Sequence, residues 1–319
     1  MIKHRNVIGL LLGPLLFTLL LLSPLPEGMT PQGLRVAAVA ALMAVWWVTE
    51  AIPIPATALL PIVLFPVLGV LSGSDVTQAY GNHLIYLFLG GFLIAVTMQK
   101  WNLHHRIALY TIRLVGVTPQ RIVLGFMLAT AFLSMWISNT AATMMMVTIA
   151  MAVTGEMEHD QRHRPGEFWF GTVLMLGIGY AASIGGVATL IGTPPNAIFA
   201  GVMEKTYGVS ISFLDWMMFA LPLSLVMLFI VWYYLSRVLF TRADMHLPGS
   251  KAMIREHIAR LGPMSRQELA VAAVFSVVAL LWILRGFFQP QALSMVKDST
   301  IAIAGALLLF LIPVDLKKR

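Results

Sequence analysis

Charge is scarce in this sequence: 11% of its 319 residues are Asp, Glu, Lys or Arg, against about 25% in a soluble domain. Hydrophobic residues make up 59% and the mean hydropathy is +0.84. A chain of this length could bury a large soluble core without giving up so much charge, so side chains facing outward must be apolar too. Cysteine is absent, which excludes disulfides and thiolate metal sites. No phosphate-binding Walker motif, no Gly-x-Ser-x-Gly and no pair of carboxylates suited to acid–base work occurs. Those absences remove the usual grounds for an enzyme, an intramembrane one included. Seventeen prolines and 25 glycines would disrupt long soluble helices. They are better tolerated in membrane helices, where neighbouring helices re-satisfy freed backbone groups.

What is present is a series of long apolar runs, at 7–25, 34–50, 54–72, 84–101, 168–203, 213–240, 266–287 and 299–314. A spanning helix needs about 20 such residues, so the expectation is an all-α, multi-pass protein of the lipid bilayer. The first run follows a basic start but lacks a small-x-small cleavage site, and it reads as a retained helix. The apolar stretch 119–154 is interrupted midway by Ser134, Ser138, Asn139, Thr140 and Thr143. If it enters and leaves from one side, seventeen of the 21 basic residues lie on one face of the membrane, and only Arg35, Lys205, Arg285 and Lys297 on the other. Positive charge collects on the cytoplasmic side. The pattern therefore predicts a re-entrant hairpin, a cytoplasmic N-terminus and a plasma (inner) membrane location. It also accounts for the net charge of +7 without nucleic acid.

The organisation that follows is a single transmembrane domain over 1–319: an extra helix and outer loop at 1–33, a first repeat at 34–240, a cytoplasmic linker at 241–265, and the start of a second repeat at 266–319. The linker offers a short basic amphipathic helix at 251–260, and the segments near 73–83, 205–212 and 287–298 read as turns. Residues 58–67 (ALLPIVLFPV) and 305–314 (GALLLFLIPV) share a Leu-x-Pro-Val ending and run in opposite directions, as inverted repeats of transporters do.

Two segments carry candidate chemistry. Ser138-Asn139-Thr140 lies at the hairpin tip, where irregular backbone survives only against protein or a water-filled cavity. Short hydroxyl and amide groups at the start of a half-helix can hold a carboxylate and a hard cation, and Ser134 lies one turn before Ser138. The second segment, 181–196 (AASIGGVATLIGTPPN), must break its helix at Pro194-Pro195, with Gly185, Gly186 and Gly192 permitting unusual backbone. The expectation is that carbonyls and amides are left free near Thr189, Thr193 and Asn196. No Asp or Glu occurs at 76–155 or 168–203. A proton-coupled carrier needs a buried titratable group, so neutral oxygens favour sodium as the coupling ion.

Ser138-Asn139-Thr140, Gly192-Thr193-Pro194-Pro195-Asn196, Trp46-Trp47-Val48-Thr49-Glu50-Ala51-Ile52-Pro53 and Thr57-Ala58-Leu59-Leu60-Pro61 together resemble the divalent anion:sodium symporter family, in that family's order and over essentially the whole chain. The resemblance implies a homodimer with an inverted-repeat ion-transporter fold, each repeat holding a re-entrant hairpin and a broken helix. It also implies elevator-like symport of sodium with a C4 dicarboxylate anion such as succinate, malate or fumarate. By the resemblance, Ser134, Ser138, Asn139 and Gly192 form a sodium site. Ser138, Asn139, Thr140, Thr193, Pro194 and Asn196 form or shape the substrate pocket. Exchange rather than symport, or carriage of citrate or sulfate, are the alternatives within the family.

No second Ser-Asn-Thr occurs. The resemblance then implies that the second repeat is incomplete, the sequence stopping before a second hairpin that would hold another sodium site and the partner for the other carboxylate. A half-site should bind weakly, and an inactive truncated remnant is the further alternative. Glu50 reads as a structural hydrogen-bond partner, the methionines at 144–146 as packing, and Gly90-Gly91 as a close helix contact. His104-His105 and the pair His159/His163 lie on the basic side, away from any apolar cleft.

Overall fold

The computed structural model describes residues 2–116, 118–160, 169–239, 250–288 and 295–313. Arg162, His163, Arg164, Arg242, the linker before Ser250, Val314 and the three terminal cations lie outside the described residues, as does the side chain of His159. The described residues form helices and their connections, and six helices are long and apolar enough to cross a membrane. The Cα packing separates two compact units, Met1–Asn82 and His83–Arg319.

In the first unit, α1 (Ile2–Leu22) packs along α2 (Pro31–Thr49). Thr30 caps α2 by accepting from Gly33 N, with Pro31 in the first-turn position that needs no amide hydrogen. Trp46 Nε1 donates to Gly9 O at 3.1 Å, and Arg5 reaches Glu50 at 3.3 Å. Glu50 closes α2 in a left-handed conformation, φ 52°. The apolar run 54–72 is not one spanning helix. It divides into α3 (Ile54–Thr57) and α4 (Leu60–Val67), because Pro61, in the first turn of α4, has no amide hydrogen to donate back to α3. Nor is 73–83 wholly a turn: Ser72 accepts from Asp75 N and starts α5 (Gly73–Tyr80).

In the second unit, α6 (His83–Lys100) is followed by α7 (Leu103–Val115), an amphipathic helix that hydropathy alone does not reveal. Then come α8 (Pro119–Ser134) and α9 (Asn139–Asp160), joined by four residues as a helical hairpin. Next are α10 (Trp169–Val187), α11 (Pro194–Tyr207), and α12 (Phe213–Tyr233) with a π-helical continuation at Tyr234–Leu239. The unit closes with α13 (Ser250–Arg260), α14 (Arg266–Phe288) and α15 (Asp298–Leu311). One core joins α8, α9 and α10 through Phe126, Met127, Met146, Leu174 and Ile178. A second gathers around Trp136, in the hairpin tip, which stacks on Trp282 (6.3 Å) and Phe213 (5.9 Å). The tip is thereby held by aromatic packing from α12 and α14. Gly90 lets α6 approach α15 closely, since a Cβ there would lie 2.5 Å from the Ala302 carbonyl carbon.

Candidate functional site

The helix ends that form the site follow from local chemistry. Ser138 caps α9: its Oγ accepts from Ala141 N at 3.3 Å and its carbonyl from Ala142 N at 2.9 Å. Asn139 and Thr140 are then first-turn residues, whose amides have no acceptor within the helix. Thr193 stands at the start of α11, and Pro194 and Pro195 follow it. Neither proline has an amide hydrogen, so this second helix start offers almost no donors.

The hairpin tip and the helix break meet. Ser134, fully buried, places Oγ 2.7 Å from Asn139 Oδ1 and 2.7 Å from Ala182 O. One hydroxyl proton faces two acceptors, so three oxygens converge where only one hydrogen can satisfy them. Thr189 Oγ1 donates to Met135 O at 2.5 Å and accepts from Gly192 N at 3.1 Å, tying tip to break. Asn196 is turned inward, its Nδ2 donating to Gly186 O at 2.9 Å and Thr189 O at 2.8 Å.

Two glycines make this approach possible. A Cβ on Gly186 would strike the side-chain amide of Asn139, and one on Gly192 would strike the carbonyl of Gly186. Gly185 and Gly186 lie in regular α10 and neither has a positive φ. Their role is close packing and not the unusual backbone that the sequence led us to expect. At Thr189 and Asn196 the side chains, and the Thr189 carbonyl, are spent on bracing the break.

Among the expected site residues, Ser134, Asn139, Gly192 and Asn196 come together in this way. Ser138, Thr140 and Pro194 are exposed and Thr193 is half-exposed. The hydroxyls of Thr140 and Thr193 make no hydrogen bond with the described residues. Ala182, Gly186 and Thr189 belong to the junction; they lie in the expected segment 181–196 but were not assigned to the sodium or substrate site. Their bonds bridge 48 and 54 positions of chain, and no local pattern announces such contacts. Among the described residues no group of three His, Cys, Asp or Glu could hold a metal ion. The converging donors are neutral oxygens, a set suited to a hard monovalent cation, with amide hydrogens of α9 beside them suited to an anion.

The family model described as the sodium:sulfate symporter transmembrane region matches residues 4–316. The sodium-dependent dicarboxylate transporter SdcS of Staphylococcus saprophyticus is 45% identical over 325 residues, covering 99% of this chain and 63% of the relative. The transporter of the same name from Staphylococcus aureus strain USA300 is 46% identical over 313 residues, covering 97% and 60%. The chain spans about three-fifths of the length of these relatives. Both are named as transporters and not as enzymes.

Proposed function

Since the chain belongs to the sodium:sulfate symporter transmembrane family, we propose that it serves sodium-coupled transport of C4 dicarboxylates such as succinate, malate or fumarate. The observation that carries this reading is the convergence of Ser134 Oγ, Asn139 Oδ1 and Ala182 O at the contact of tip and break. Sodium is held there by Ser134, Ser138, Asn139 and Gly192. The substrate carboxylate lies against the start of α9, where Ser138, Asn139 and Thr140 supply short polar groups. Thr193 and Pro194 form the opposite wall, and Asn196 shapes it from behind. With sodium bound, its charge offsets that of the carboxylate, and no acidic side chain is required.

The family description names sulfate, while the relatives covering nearly all of this chain are named for dicarboxylates, so the dicarboxylate is favoured. Homodimeric assembly, an elevator movement of the hairpin and a cytoplasmic N-terminus are part of the same proposal. The skew of basic residues supports the orientation.

Thermal unfolding of the purified chain tests the reading. Sodium chloride should raise the midpoint above that in potassium chloride, since a ligand bound only by the folded state stabilises it. Succinate should raise it further in sodium alone, and more than sulfate does. Ser134→Ala should abolish the sodium response. Equal midpoints in sodium and potassium would refute the cation site, and a larger response to sulfate would reassign the substrate.

A further inference from the structure

Helix α7 has 13 residues. At 1.5 Å per residue it is too short to cross a hydrocarbon layer of about 30 Å. One face is buried, through Leu103, His104, Ala108, Leu109 and Ile112. The other presents Tyr110, Arg113 and Leu114, three and four residues apart and hence on one stripe. Tyr110 is 42% and Leu114 85% exposed, and Arg113 is exposed between them. After the helix, Gly116 adopts φ 123°, and a Cβ on it would lie 2.9 Å from Arg121 Cδ. The Arg121 side chain therefore folds back against Gly116 at the end of α7.

Arg113 and Arg121 form no ion pair or hydrogen bond with the described residues, and the same holds for Arg255 on α13, which packs beside α7. No acidic residue occurs anywhere between positions 76 and 155 to neutralise them. The α8 start adds to the same potential, for Thr118 makes no side-chain cap and leaves first-turn amides open. An apolar and aromatic stripe flanked by cations that have no partner among the described residues, on a helix that cannot span, matches the chemistry of an interface with anionic lipid.

We propose that the outer face of α7 and Arg121 at the start of α8 form a docking surface for anionic phospholipid headgroups. Tyr110 and Leu114 sit at the acyl boundary, and Arg113 and Arg121 engage the phosphates. The inference rests on a membrane location and is independent of what the protein carries.

The absence of cysteine makes the test clean, because Leu114→Cys supplies a single thiol for an environment-sensitive fluorophore. The labelled chain, in neutral detergent, is titrated with short-chain phosphatidylglycerol and with phosphatidylcholine of the same chain length. The emission should shift to the blue and saturate at lower phosphatidylglycerol, and added salt should weaken that response. Arg113→Gln with Arg121→Gln should weaken it on the order of 25-fold, about fivefold for each basic residue near an anionic surface. Arg113→Lys with Arg121→Lys should retain most of it, which separates charge from folding. Equal affinity for the two lipids, insensitivity to salt, or a glutamine variant that responds like its parent would each overturn the proposal.

Discussion

The side-chain amide of Asn196 donates to the carbonyl of Gly186 across the interrupted helix, at 2.9 Å and ten positions apart. With its second hydrogen on Thr189 O, it re-satisfies carbonyls that the break between α10 and α11 would leave exposed. Asn196→Ala removes both donors at a buried position. The expected loss is about 1–3 kcal/mol for each carbonyl left unsatisfied. A thermal unfolding midpoint below that of the parent checks this, and an unchanged midpoint would show that the break is held by other means.

Gly186→Ala should be damaging for a steric reason. The new methyl group occupies the space of the Asn139 amide, so the hairpin tip must retreat from α10. Overpacking of this kind costs about 1–3 kcal/mol. Beyond that loss, the sodium-dependent rise in midpoint should vanish, because Asn139 Oδ1 no longer meets Ser134 Oγ.

Arg106 and Glu268 form a two-pronged ion pair at 3.1 and 3.2 Å, with side chains only 12% and 8% exposed, joining α7 to the start of α14. Arg106 also donates to the carbonyl of Gly262 at 3.2 Å. Removing one partner of a buried pair costs about 3–5 kcal/mol, because the other charge stays behind. Arg106→Met and Glu268→Leu should each lower the midpoint strongly, and the double variant should recover part of the loss. An additive double variant would show that the pair does not act as a unit.

His104 carries a pH dependence. Burial, with His105 edge-on at 4.5 Å, pushes its pKa down to about 4, despite a contact between Nδ1 and Met98 O. Well above pH 6.5 the ring is neutral folded or unfolded, and it adds no dependence. As pH falls from 6.5 towards 4, the unfolded chain takes up a proton that the folded chain refuses, so stability declines. His104→Gln should flatten that part of the stability–pH curve, measured by thermal unfolding in buffers of equal ionic strength.

Much of the junction can be read in the sequence, for reasons that differ by residue. Pro194-Pro195 forbids a helix, and Ser138-Asn139-Thr140 is too polar for the middle of an apolar run, so both interruptions stand out in one dimension. The divided run 54–72 was obscured because its hydropathy outweighed its three prolines, of which Pro61 acts through backbone geometry. Helix α7 was obscured because its apolar residues are diluted by two histidines and two arginines within 13 positions. Glu50 was expected as a hydrogen-bond partner, and it pairs with Arg5 while its own amide closes α2 on Trp46 O. The bonds from Ser134 to Ala182 and from Thr189 to Met135 depend on how α8 and α10 pack, which no local pattern encodes.

Pro194 and Pro195 have one more consequence. With no amide hydrogen on its first two residues, the start of α11 cannot serve as a cradle for negative charge, whereas the start of α9 keeps its first-turn donors. The junction is thus one-handed: an anion placed between the arms is drawn to the hairpin wall alone. If the proposed site holds, a guest with two charged ends is sorted by that asymmetry, one end received at Asn139 and Thr140 and the other turned away from the prolines.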